Sequence, residues 1–459
     1  MPGRSSRIIQ YTERHAAADA YGLLGWGGDD RIVAVSAGRV IGRDEFLRDV
    51  AALAARLPAR KYALNLCTDR YRFMVALGAA LRRRQISLLP PNETHGVFQV
   101  LAEDYPDHYT LADNARPPVP HVMFPRDLDS GRFPAADDPI EGIQTAILLF
   151  TSGSTGRPAP VAKSWGTLVR SARSAGCRLG VPGLNDATVI STVPHQHSYG
   201  FESIILLALQ HGLIVDAGAP LYPGDIRTRI EAAAGPRILV TAPVHIRVLV
   251  NDPGGMPRVD LILSATAPLP ASLAVQAEAC FGGRLMEIYG CTEAGQIATR
   301  RTARETQWRC LDGVELRQDA AGTWASGAAV EGSAMLHDKI ELTGAGRFLL
   351  GARAADLVNV AGKRASLADL NHQLTTIEGV EDGVFLMQAA AGERVARLMA
   401  LAVAPGLVPE TILRRLRERI DAAFLPRPLV LVDALPRNSL GKLPREALLE
   451  LIGRGRLST

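Results

Sequence analysis

The sequence predicts an α/β protein. Its large N-terminal body has mostly parallel sheets flanked by helices and a small antiparallel region, and a small α+β domain follows. Three observations carry this. Short apolar runs alternate with stretches of helical spacing through residues 44–288, the pattern of βαβ units. Between 310 and 350 the runs become hairpin-like, separated by glycine turns. A chain of 459 residues is also longer than one hydrophobic core organises, so more than one domain is expected.

The elements follow in order. Residues 44–57 and 69–83 place apolar positions on one helical face. Ile86–Leu89, Ala146–Phe150, Val189–Val193, Leu213–Val215, Ile238–Val240, Leu261–Leu263 and Leu285–Ile288 are short apolar runs expected as strands. Residues 114–140, rich in Pro, Asp and Gly, suggest a long surface connection. Glu315–Arg317, Ser333–Leu336 and Arg347–Leu350 suggest short antiparallel strands. A boundary falls near Ala352–Leu357, giving domains 1–352 and 353–459. The second holds helical stretches at 366–376 and 409–423 and a basic tail.

Composition excludes several classes. The chain is 47% hydrophobic and 21% charged, ordinary for a globular enzyme, and its net charge of +4 is too small to argue for nucleic-acid binding. Five scattered cysteines form no CxxC pair, so neither a zinc site nor a disulfide framework is indicated. Reduced thiols in a cytoplasmic protein are expected. Met1–Gln10 lacks the apolar core of a signal peptide. No run of about 18 apolar residues predicts a membrane span.

The chemistry begins at Leu148-Leu149-Phe150-Thr151-Ser152-Gly153-Ser154-Thr155-Gly156-Arg157-Pro158. An apolar strand enters a loop of hydroxyls and glycines. Gly153 and Gly156 allow unusual backbone conformations, so N–H groups can converge on an anion beside the hydroxyls of Thr151, Ser152, Ser154 and Thr155. Arg157 stands where a Walker A loop needs Lys. Taken alone, the segment is equally a Ser/Gly-rich surface loop.

Thr151–Pro158 resembles the phosphate loop of the adenylate-forming superfamily, which includes acyl-CoA synthetases, luciferases and nonribosomal-peptide adenylation domains. That family usually continues Pro-Lys-Gly. This chain continues Pro158-Ala159-Pro160, and Lys163 is the next lysine. Lys163-Ser164-Trp165-Gly166 and Asn65-Leu66-Cys67-Thr68-Asp69-Arg70 are similar to the aryl-polyene and xanthomonadin-type subgroup, whose members load an acyl or hydroxybenzoyl group onto an acyl carrier protein.

The resemblance implies roles for further residues. Tyr289-Gly290-Cys291-Thr292-Glu293 matches the family's Tyr-Gly-x-Thr-Glu, implying that Thr292 contacts the α-phosphate and Glu293 binds Mg²⁺. A hard cation prefers such oxygens. The residues alone also allow a capped helix start after a strand. Ser264-Ala265-Thr266-Ala267-Pro268 matches the adenine turn, where Ala265 and Thr266 are small enough for a flat base to approach; on chemistry alone it is equally a plain strand-to-helix turn. Asp338 and Arg353 have the separation of the pair that holds the ribose hydroxyls, a task that suits a carboxylate acceptor. His337, Ala352 and Ala355 depart from the surrounding pattern. Lys442, in Pro436-Arg437-Asn438-Ser439-Leu440-Gly441-Lys442, matches the lysine placed over the reacting carboxylate and α-phosphate.

Pro194-His195-Gln196-His197-Ser198-Tyr199-Gly200 resembles the acyl-pocket segment, with His197 at the gate. The residues alone also allow a metal pair or ordinary hydrogen-bonded histidines. Leu413–Ile420 sets arginines opposite an apolar helical face, either a solvated surface or a dock for an acidic carrier.

The resemblance therefore implies an AMP-forming acid–thiol ligase using ATP and Mg²⁺. The expected partners are a small aromatic acid, such as a hydroxybenzoate, and a phosphopantetheine thiol of an acyl carrier protein or coenzyme A. It also implies a mobile C-terminal domain. The departures at Ala159, Ala352 and Ala355 keep open a catalytically weak nucleotide-binding relative.

Overall fold

The computed structural model describes residues 19–452 apart from 29, 91–92, 115–119, 152–158, 267–268, 354–356, 361, 389–396, 437–447 and 449–450. The described chain forms two compact units. One is built from the described residues of 19–90, 101–151 and 160–353, and the other from 93–100, 159 and the described part of 357–459.

Two sheets organise the first unit. The expected apolar runs form the strands Ile86–Leu89, Thr145–Thr151, Thr188–Ser191, Ile214–Asp216, Arg237–Thr241, Leu261–Ser264 and Arg284–Cys291. In the smaller sheet, Thr145–Thr151, Ile86–Leu89, Tyr62–Asn65 and His108–Ala112 are parallel neighbours. The larger sheet has a parallel centre in the order Arg284–Cys291, Leu261–Ser264, Arg237–Thr241, Thr188–Ser191, Ile214–Asp216, Ile32–Ser36. Antiparallel strands extend both of its edges.

Strands covered on both faces can be apolar along their whole length, and every residue of Thr188–Ser191 and Leu261–Ser264 is buried. The chain reverses direction across the sheet at Thr188–Ser191, which has Ile214–Asp216 on one side and Arg237–Thr241 on the other. In open α/β sheets, ligands collect at the carboxyl ends of strands around such a reversal.

The flanking helices match the predicted periodicity. Arg43–Arg56 and Arg70–Arg82 bury Phe46, Leu47, Val50, Phe73 and Leu77. Asp69 starts the second by accepting from the Arg72 N–H at 2.9 Å. Gly180 (φ 69°) closes the helix Trp165–Leu179 in the left-handed region.

Residues 120–140 are less exposed than the sequence suggested. Val122–Met123 adds to the smaller sheet, and Phe124 and Leu128 are buried. Asp137 accepts the N–H groups of Leu23 and Leu24 at 2.7 and 3.1 Å, so a distant partner fixes this connection.

The antiparallel region has Glu315–Asp319, Gly322–Ser326 and Ser333–Leu336 in one sheet. Asp338–Gly344 and Arg347–Arg353 instead extend the large sheet. In the second unit, Asp382–Gln388 and Arg397–Val403 are antiparallel, and Leu429–Leu431 runs parallel to the latter. The helices are Leu367–Thr375 and Pro409–Arg417. The second ends earlier than the predicted 409–423, because Asp421 caps a separate 3₁₀ turn by accepting from the Ala423 N–H. Ile412 and Leu416 are buried in its core, while Arg414 and Arg417 are exposed.

Candidate active site

Strand register brings two predicted segments side by side. Ser264 pairs with Glu287 across parallel strands, so the turn Ser264-Ala265-Thr266 lies beside the approach to Tyr289. Thr266 has φ +80°. A β-branched residue in that region is strained, by about 1–3 kcal/mol, and needs surrounding structure to hold it.

Glu287 supplies part of that hold. Its buried carboxylate accepts from the Leu269 N–H at 3.2 Å, Arg300 Nε at 2.8 Å and Thr302 Oγ1 at 2.6 Å. The turn's exit is thereby tied to the next strand. Motif reading did not single out Glu287; the available signal was a carboxylate inside an apolar strand. Two hydroxyls of the same turn, Ser264 Oγ and Thr266 Oγ1, are buried with no protein partner. Such atoms carry a desolvation cost until something bonds to them.

Tyr289 is fixed from both ends. Its ring lies 5.6 Å from Trp308 and 5.7 Å from Phe348 between centroids, and its hydroxyl donates to Asp338 Oδ2 at 2.9 Å. Asp338 is directly opposite Arg353 in the antiparallel pair. Tyr289, Asp338 and the Arg353 backbone therefore converge, although fifteen residues separate the last two.

Gly290 and Gly295 shape the adjoining turn. A Cβ on Gly290 would stand 2.2 Å from the Gly295 carbonyl oxygen, and Gly295 has φ +80°. Only glycine meets both demands. The turn presents Thr292 and Glu293 half-buried.

Lys163 anchors this turn from below. It is buried, and its Nζ donates to the Glu293 carbonyl at 2.5 Å. Burial lowers its pKa, opposed by the negative potential of Glu202. Glu202 is also buried, in a π-helical stretch, and burial raises its pKa. Ser198 Oγ and the Gln296 N–H donate to it at 2.8 and 3.0 Å. Burial, then the Glu293 carboxylate, pushes the Cys291 thiol up to about 12. The first lysine after the phosphate loop is thus engaged in holding the Glu293 backbone. Sequence reading found Lys163 but missed Glu202 and Gln296, whose link is visible only in three dimensions.

The neighbouring strand end is satisfied internally. Thr192 Oγ1 bonds Thr241 Oγ1 at 2.8 Å and His245 Nδ1 at 2.7 Å, and the Tyr199 hydroxyl donates to the Thr241 carbonyl at 3.1 Å. His195 Nε2 bonds the Cys67 carbonyl at 3.0 Å, and its ring meets Phe73 edge-on. Burial, then the charge of Arg70, pushes His195 down to about 3. His195 is therefore a neutral wall residue. His197 is half-buried at the start of the next short helix. No cluster of three metal-binding side chains occurs among the described residues.

Ser152, Gly153, Ser154, Thr155, Gly156 and Lys442 lie outside the described residues, and Arg353 is described only in its backbone; Thr151 ends its strand.

Its family and its CoA-ligase relatives make this chain an AMP-forming acid–thiol ligase. The chain belongs to the AMP-binding enzyme family, whose model matches residues 52–318. It is 27% identical over 320 residues to a 4-coumarate–CoA ligase of Halorhodospira halophila, covering 65% of this chain and 75% of that one. It is 23% identical over 353 residues to a p-hydroxybenzoic acid–AMP ligase of Mycobacterium tuberculosis, covering 69% and 50%. An o-succinylbenzoate CoA synthetase of Bacillus subtilis, solved with a product analogue, shares the fold. Its TM-score is 0.76 at 20% identity, covering 92% of this chain and 96% of that one. No described helix is long and apolar enough to cross a membrane.

Proposed function

We propose that the chain activates a small aromatic acid, such as a hydroxybenzoate, as its acyl-adenylate and passes the acyl group to the phosphopantetheine thiol of an acyl carrier protein. The observation that carries this reading is the grouping at one sheet end of Tyr289–Glu293, Asp338 and the two unpartnered hydroxyls of Ser264 and Thr266. Orphaned donors beside a fixed aromatic ring and a carboxylate suit a nucleoside.

In this proposal Ala265 and Thr266 border adenine, with Tyr289 and Gly290 beside it. Asp338 and Arg353 hold the ribose, and Thr151–Gly156 and Thr292 hold phosphates. The Glu293 carboxylate fits a hard cation; Mg²⁺ bound there would offset charge on the pyrophosphate. The acid's carboxylate oxygen attacks the α-phosphorus, and pyrophosphate leaves. The thiolate then attacks the acyl carbon, and AMP leaves with the carboxyl oxygen. His197 borders the acid. Lys442 steadies charge at the first transfer. The small domain, 353–459, acts as a lid hinged near 353–357 and withdraws Lys442 before the second step.

Support for an aromatic substrate comes from the coumarate and hydroxybenzoate relatives. Support for a carrier acceptor comes from Lys163–Gly166, Asn65–Arg70 and the exposed Arg414 and Arg417. Arg415 donates to the Glu378 carbonyl at 2.7 Å, leaving the other two better suited to docking. The CoA ligases among the relatives favour a second reading, in which coenzyme A is the acceptor.

Mass spectrometry of thioester products settles the choice, using a panel of benzoic and fatty acids against both acceptors. No AMP from any acid would overturn the proposal. Lys442→Ala should lower ATP–pyrophosphate exchange about 10²–10³-fold and still thioesterify a supplied acyl-adenylate; undiminished exchange would remove its role.

A further inference from the structure

Three arginines from three elements line one cavity of about 430 Å³ in the first unit. Arg309 lies in Trp308–Cys310, Arg347 opens Arg347–Arg353, and Arg178 sits in the last turn of Trp165–Leu179. Arg309 and Arg347 are directly opposite each other in an antiparallel pair, beside the Trp308–Phe348 pair that meets Tyr289. Side chains alternate along a strand, so the two guanidiniums leave the sheet on the face opposite that aromatic stack. Ser174 Oγ donates to the Asp312 carbonyl at 2.8 Å, which ties the helix one turn before Arg178 to a loop that lines this open cavity.

Like charges placed opposite each other across strands are destabilising. Among the described residues, none of these three arginines has an ion-pair or side-chain hydrogen-bond partner. Asp312 is the one carboxylate in the lining, and burial raises the Cys310 thiol to about 11, so it adds no charge at neutral pH. Arg178 alone is explained by a favourable place at a helix C-terminus. That leaves Arg309 and Arg347 without an explanation inside the fold. Guanidinium forks match phosphate oxygens bidentately, and the cavity has the volume of a small-ligand site.

We propose that this cavity is a second anion site, binding a small diphosphate or phosphate ester on the sheet face away from the nucleotide site. The probe is inorganic pyrophosphate, titrated calorimetrically into the full-length enzyme. Wild type should show two classes of site. The Arg309→Gln/Arg347→Gln variant should keep one and weaken the other at least tenfold, with ATP–pyrophosphate exchange within about twofold of wild type. Arg178→Gln, at a partly exposed helix position, checks the result without altering the strand pair and should weaken the same class; Arg178→Lys should restore part of it. A single class in wild type, or two unchanged classes in the variants, would overturn the proposal. So would one pyrophosphate class together with loss of carrier-protein binding in the variants, which would reassign the cavity to protein docking. Because the readout is binding, failure of every acid to react would leave this site standing.

Discussion

Two strand ends of the large sheet, on either side of Arg237–Thr241, have opposite polar character. After Thr188–Ser191, hydroxyls and rings satisfy one another: Thr192 holds Thr241 and His245, Tyr199 holds a carbonyl, and His195 is locked neutral. After Leu261–Ser264, the Ser264 and Thr266 hydroxyls are buried without partners, on a turn strained at Thr266. Both ends are well packed. The difference is that one has completed its hydrogen bonding inside the protein and the other has not. Completed networks make walls; incomplete ones mark where a ligand finishes the bonding.

The largest test of this contrast is Glu287→Gln. It removes the charge opposing the mostly buried Arg300 and loosens the tie to Leu269. Losing one member of such a pair should cost about 3 kcal/mol, read as a fall in Tm, with nucleotide affinity falling too. Unchanged affinity would show that the turn needs no tether.

Tyr289→Phe keeps the ring between Trp308 and Phe348 and removes the hydroxyl that bonds Asp338. Stability should drop by about 1 kcal/mol while the KM for ATP rises several-fold. An effect on stability alone would separate Asp338 from the nucleotide.

Thr266→Gly divides strain from binding. Glycine adopts φ +80° freely, so the free protein should gain up to about 1 kcal/mol. Loss of one hydroxyl should weaken AMP about fivefold, equivalent to one hydrogen bond. Tighter AMP binding would mean that the hydroxyl faces nothing.

A further test, confined to acid pH, concerns the satisfied wall. His195 is held well below its ordinary value, so the unfolded chain binds its proton first as pH falls from about 6.5 toward 3. Stability from this group is therefore present above pH 6.5 and decreases on acidification. His195→Gln should flatten that decline by up to one proton, about 1.4 kcal/mol per pH unit, measured by urea unfolding across pH 7 to 5. An unchanged slope would show that His195 does not stay neutral in the fold.

Much of this was legible in the chain itself. The apolar runs became strands because a strand covered on both faces needs no polar residue, and that signal is local. Tyr289-Gly290-Cys291-Thr292-Glu293 was legible through its resemblance to a family motif, a pattern contained in five consecutive residues. Residues 120–140 were harder to read: Asp137 reaches Leu23 and Leu24, more than a hundred positions away.

By itself the sequence determined the alternation of strands and helices, the glycines at tight turns and the residue types able to meet a nucleotide. Only the tertiary structure decided that Lys163 is spent on the Glu293 carbonyl, that Glu287 ties down the turn at Thr266, and that Arg178, Arg309 and Arg347 share one cavity. Backbone propensity and patterning act between near neighbours. Hydrogen bonds and charge act through space, and which groups they join depends on how the strands are ordered in the sheet.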